Sequence, residues 1–125
     1  MEKPKIVCYE MSDIDYKKLE KLCLKFKFDI KKAEFSEYSL PIAATVSDVF
    51  PILPYFGEKI PEPMLVFANF SEEILKFFLS EMRKYKIAKG SLKAMLTRYN
   101  ADWMPLQLYK ELCREREAIL QNKSV

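Results

Sequence analysis

Laid over itself at a shift of 59 residues, the chain repeats its own pattern. Pro4 falls on Pro63, Ile6 on Leu65, Val7 on Val66 and Met11 on Phe70. In the same register Ser12 falls on Ser71, Asp13 on Glu72, Leu19 on Phe78, Cys23 on Met82 and Phe26 on Tyr85. A second stretch matches at a shift of 61, with Lys32 on Lys93, Phe35 on Leu96 and Tyr38 on Tyr99. Buried strands resemble one another by chance, but a shared cap, flanking proline and helix phase do so less often. A repeat of this size constrains the fold more than any local motif, because each copy must supply the same supersecondary unit.

The local pattern names that unit. Lys5 to Glu10 is a short, mostly apolar run, as in a strand covered on both faces. Ser12 then offers an N-cap, and Leu19, Leu22, Cys23 and Phe26 follow at helical spacing. Ile30 to Phe35 reads as a more polar edge strand. Ile42, Val46, Val49, Phe50 and Leu53 continue at helical spacing until Pro51 stops the helix. The second half repeats the order: strand Met64–Ala68, a helix capped by Ser71, strand Leu92–Thr97 after Gly90, and a last helix opened by Pro105 with Tyr109, Leu112, Cys113 and Ile119 inward. Between the halves, the connector from Pro51 to Pro63 carries Ile52, Leu53, Tyr55, Phe56 and Ile60, apolar residues that call for cover.

Right-handed crossovers and two such units related by a twofold axis along the strands predict one α/β domain over residues 1–125, with pseudo-repeats at about 1–62 and 63–125. The expected sheet is four-stranded and parallel, in order 2-1-3-4, with helices on both faces: a Rossmann-like βαβα duplication. Its switch point lies between the first and third strands. There the loops Glu10–Ser12 and Asn69–Ser71 should meet in a crevice beside Thr97–Trp103, with the proline-rich connector at the opposite end of the sheet.

The available chemistry is narrow. There is no histidine, which removes histidine-based triads, a histidine general base and His-containing zinc sites. Two glycines leave no nucleotide fingerprint and no P-loop, so no cofactor and no metal are expected. The three cysteines lie on apolar faces, and all three are expected to be buried structural thiols. No apolar run approaches the length of a membrane span, and no signal-like stretch opens the chain, which predicts a cytoplasmic protein with no membrane partner. The net charge is +3, and the lysines between Lys17 and Lys32 are interleaved with Asp13, Asp15, Glu20, Asp29 and Glu34. That pattern reads as a solvated helix face and argues against a nucleic-acid partner. A receiver-like acidic pocket of Glu10, Asp13, Asn69 and Thr97 would lack the aspartate phosphoacceptor that ends the third strand of receivers.

What remains is the crevice. Ser12 and Ser71 cap helix N-termini aimed at it, and Asn69, Thr97, Arg98, Asn100 and Trp103 line its rim; these are the candidate binding residues. From PMLVFANFSEEILKFFLSEMRK through LKAMLTRYNADW to the closing helix, roughly residues 63–120, the sequence resembles a bacterial domain-of-unknown-function family, numbered 3783. The family pattern is a strand, a Phe-Ser-Glu-Glu helix and a strand ending in Thr-x-x-Asn-x-x-Trp. Thr97, Asn100 and Trp103 fall on those last positions, and Met104-Pro105 stands where the family places a capping Thr or Ser. The resemblance implies no activity. The expectation is a non-catalytic binding or protein-interaction module acting on a protein partner or small ligand, with a homodimer compatible. The alternative is a small-anion or metabolite binder, or an enzyme, using the crevice.

Overall fold

The computed structural model describes residues 2–123. The elements run β1 (Lys5–Tyr9), α1 (Asp13–Phe26), β2 (Asp29–Lys32), a 3-10 turn (Phe35–Ser39), α2 (Ile42–Val46), β3 (Met64–Ala68), α3 (Glu72–Lys84), β4 (Leu92–Met95) and α4 (Pro105–Lys123). Ser12 accepts from the Asp15 N–H and Ser71 from the Ile74 N–H, so both expected caps form. The strand order is β2-β1-β3-β4, as the repeat predicts.

The direction of the central pair differs from the prediction. β1 runs parallel to β2 and β3 parallel to β4, but β1 and β3 are antiparallel, with Val7 opposite Val66 and Lys5 opposite Ala68. The sheet is mixed and not doubly wound. The cause is the connector. α2 lasts five residues, ending where Asp48 takes a left-handed φ of 59°. There the Val46 carbonyl accepts from the ammonium of Lys5, at the start of β1. The following segment then returns along the sheet until Lys59 pairs with Glu10, just past the end of β1, at 3.3 Å. That additional traverse delivers the chain to β1's carboxyl end, so β3 enters pointing the other way. The connector therefore runs from one end of the sheet to the other, and finishes at the end where the parallel sheet had no place for it.

Alternation sends side chains into two cores. Ile6, Cys8, Leu65 and Phe67 meet Leu19, Leu22 and Cys23 of α1 and Phe78 and Met82 of α3 on one face. Val7, Tyr9, Met64, Val66 and Ala68 meet Tyr38, Ile42, Val46, Ile60 and Leu108 on the other. Cys8 and Cys23 are buried, and burial pushes the Cys23 thiol up to about 12. Cys113 is only partly buried, contrary to expectation. α4 outruns the sheet: Ile119, expected inward, is 56% exposed. Among the described residues no helix is long and apolar enough to cross a membrane.

The halves share more than element order. Glu10 and Asn69 both follow a strand with left-handed φ, of 56° and 65°; Lys27 and Lys86 both follow a helix, with 61° and 54°. Each pair is related by the 59-residue shift. The outer strands are not related by 61. Pro4 accepts from Asp29 and Pro63 from Leu92, a shift of 63, because the span from the start of α3 to the start of β4 is four residues longer than that from the start of α1 to the start of β2.

Candidate functional site

The antiparallel pair separates the predicted crevice residues. Ser12 follows β1, whereas Asn69 and Ser71 follow β3, and five paired residues put those ends about 15 Å apart. The two capping serines do not share a site, and a pocket of Glu10, Asp13, Asn69 and Thr97 is not assembled. At the Ser12 end, Tyr38 donates its hydroxyl to the Glu10 carboxylate, Lys59 pairs with Glu10, and Lys32 pairs with Asp13. Burial, then the Glu10 hydrogen bond, raises the Tyr38 phenol above its ordinary value. These groups neutralise one another around a shallow hollow of about 470 Å³.

At the other end, the Asn69 amide donates to the Glu2 carboxylate and the Lys3 carbonyl. Thr97 and Asn100 close a reciprocal turn. The Thr97 hydroxyl accepts from the Tyr99 and Asn100 N–H groups, and the Asn100 side-chain oxygen accepts from the Thr97 N–H. The Asn100 amide nitrogen donates to the Met95 carbonyl, at the end of β4. The turn presents two backbone carbonyls outward: Trp103 O accepts from Ile42 N–H at 2.9 Å and Ala101 O from Ala43 N–H at 3.0 Å. Those are the orphan donors of α2, whose N-cap position is Pro41 and brings no side-chain acceptor. The Thr-x-x-Asn-x-x-Trp pattern thus caps a helix from a distant stretch of chain. The Trp103 ring is partly buried against the second core, and Arg98 stacks on Tyr99 in the open, 5.3 Å from the ring centre.

The least expected surface is the first part of the connector. Phe50, Ile52, Leu53 and Phe56 are 85, 92, 71 and 90% exposed, with Val49 beside them at 48%. The cover that the sequence calls for reaches only Ile60, which is buried, and Tyr55, which stacks on Phe35 and Tyr38. The segment is nonetheless pinned. Tyr55 donates its hydroxyl to the Glu58 carbonyl, and a Cβ at Gly57 would collide with the Tyr55 ring. Glu62 accepts from Tyr109 and, bidentately, from Arg116, which holds its carboxyl below the ordinary range. Pro51 and Pro54 restrict the backbone between these anchors. The sequence signal was present as apolar residues without period among prolines, a pattern that does not say which side faces solvent.

Among the described residues no group of three or more His, Cys, Asp or Glu could hold a metal ion. No curated protein and no solved structure matches the chain. Residues 63–119, β3 through most of α4, match the model of the family described as a domain of unknown function (DUF3783).

Proposed function

We propose that the protein is a binding module without chemistry of its own, and that its contact with a protein partner is the ridge from Val49 to Phe56. The observation that carries this reading is the exposure of four large apolar side chains, 71–92%, on a segment fixed at Tyr55 and Ile60. A contiguous exposed apolar patch on a soluble chain marks an interaction site. Proline-restricted backbone lowers the ordering cost of docking. The alternative, a ligand in a crevice at the carboxyl ends of the first, third and fourth strands, loses support from the opposed directions of β1 and β3. We further propose that the two halves are copies of one βαβα unit, on the strength of the matching left-handed positions.

The test is a photo-crosslinking residue at position 53, with position 114 on α4 as control, in cells that make the protein. Position 53 should give one discrete product and position 114 none. Phe50→Ser with Phe56→Ser should abolish the product while leaving the unfolding midpoint unchanged. A product of twice the protein's mass would make the partner a second copy. Diffuse labelling at both positions would defeat the reading.

A further inference from the structure

The cations of the opposite face gather around two hollows. Lys18, Lys21 and Lys25 recur at helical spacing on α1 and, with Leu22, Tyr85 and Ile87, line an open hollow of about 370 Å³. Ile87 is shared with a second, deeper hollow of about 560 Å³ that holds Arg83, Lys86, Lys89 and Lys93 over the apolar floor of Leu79 and Met82. No carboxylate lines either hollow, and among the described residues none of these seven cations is in an ion pair. The acids that interleave with the lysines in sequence are partly engaged elsewhere: Asp13 pairs with Lys32 and Asp29 with Lys3.

The second hollow is built by the stretch that breaks the internal repeat. The longer chain between α3 and β4 contributes Lys86, Ile87, Ala88, Lys89 and Gly90. Its φ is positive at Lys86, Ala88 and Gly90 (54°, 51° and 82°), and the Lys86 and Ile87 N–H groups donate back to the Arg83 and Met82 carbonyls of α3. Ala88 has no glycine's freedom, so the stretch holds a costly conformation to keep this shape. Lys93 is partly buried, donates to the Ser91 carbonyl at 3.0 Å, and has its ammonium pKa lowered by burial and then by Arg83. Tyr85 lines the first hollow, 47% exposed even with Lys84 over its ring at 5.3 Å.

We infer that this surface binds single-stranded nucleic acid, with the phosphates on the two sets of cations and a base against Tyr85. Seven cations across two joined hollows exceed what one small anion can use, and match a ligand whose charge repeats along a chain. A half-exposed aromatic ring among lysines is the stacking platform of single-strand binders, whereas duplex binding through phosphates alone does not need it. The binding would be independent of the Val49–Phe56 ridge, which belongs to the other face.

The experiment is fluorescence anisotropy of labelled 20-nucleotide oligo(dT) and oligo(U), titrated with the full chain between 50 and 200 mM salt. Affinity should fall with salt at a log–log slope of about −3 to −5, at roughly 0.7 counterions released per phosphate neutralised. Lys86→Glu with Lys89→Glu, and separately Lys21→Glu, should each weaken binding about tenfold or more. Tyr85→Leu should do the same with little change in salt slope, while Tyr99→Leu, an exposed aromatic away from both hollows, should change nothing. Unfolding midpoints confirm that the exposed substitutions leave the fold intact. Absence of binding at 100 μM protein and 50 mM salt would overturn the inference. So would equal competition by polyglutamate together with indifference to Tyr85→Leu, which would mark a surface for any polyanion, and so would tighter binding of the matching duplex.

Discussion

At the scale of single residues, Asn100 makes the clearest claim, because its side chain ends one element and supports another. Its amide links the Met95 carbonyl to the Thr97 N–H, and the turn so closed aims Ala101 and Trp103 carbonyls at α2. Asn100→Ala removes two hydrogen bonds directly and loosens two more. It should cost about 1–2 kcal/mol in denaturant unfolding. Protection of the Ile42 and Ala43 amides against hydrogen exchange should fall with it. Thr97→Ala should lower the same two amides, whereas Arg98→Ala, on an exposed side chain, should leave them untouched. Unchanged protection in Asn100→Ala would return the turn to candidacy as a binding loop.

Individual elements are held by ion pairs whose value depends on pH. Asp48 accepts from Lys5 at 2.9 Å and from Lys31 at 3.1 Å, joining the end of α2 to β1 and β2. Lys5 and then Lys31 hold its carboxyl below the ordinary 3.8. Lys32 does the same for Asp13, and Arg116 followed by Tyr109 for Glu62. A carboxyl depressed in the folded state contributes its full stability above its unfolded pKa and loses it as pH falls through the folded value. The unfolding midpoint should therefore hold steady down to about pH 5 and decline below about 4.5. Asp48→Asn should lower the midpoint slightly at pH 7, since exposed pairs are worth little, and make the acid decline shallower. An acid limb identical to the parent's would show that Asp48 does not clamp α2. Element identity was legible in the sequence: both serine caps and the strand order follow from apolar period and capping chemistry. Strand direction was not, because it turns on where α2 stops. Five residues of helix and a long connector reverse β3, whereas the expected helix up to Pro51 with a connector confined to one end of the sheet leaves β3 parallel. The ridge was missed because apolar residues among prolines call for cover without showing which side meets solvent. The basic hollow left one trace, the slip of the repeat from 59 to a larger shift.

For the whole molecule, the antiparallel centre changes the symmetry and not the repeat order. An operation exchanging the halves must be a twofold axis normal to the sheet, passing between Val7 and Val66, which pair with each other and fall on each other at a shift of 59. Such an axis keeps α1 and α3 on one face, where both are found. It also equates Glu10 with Asn69 and Lys27 with Lys86, the matching left-handed positions. If each half is a copy of one unit, a unit alone has a natural partner in itself. In the isolated segment 63–125, β3 would present an edge of five residues, all buried in the full chain. An exposed apolar edge is the strongest template for pairing a strand can offer. The segment should therefore associate as an isologous dimer, with Val66 opposite its own copy and α3 beside its twin. Sedimentation equilibrium at micromolar concentration should give twice the segment mass, with helical circular dichroism that diminishes on dilution. Val66→Lys should abolish the dimer, because the substitution sets two like charges directly opposite each other on the axis. In the full chain the same lysine would face Val7 and cost stability without changing the mass. A segment that stays folded as a monomer would refute the shared axis, and one that stays unfolded would show that the second half needs the first as its specific partner rather than as a copy.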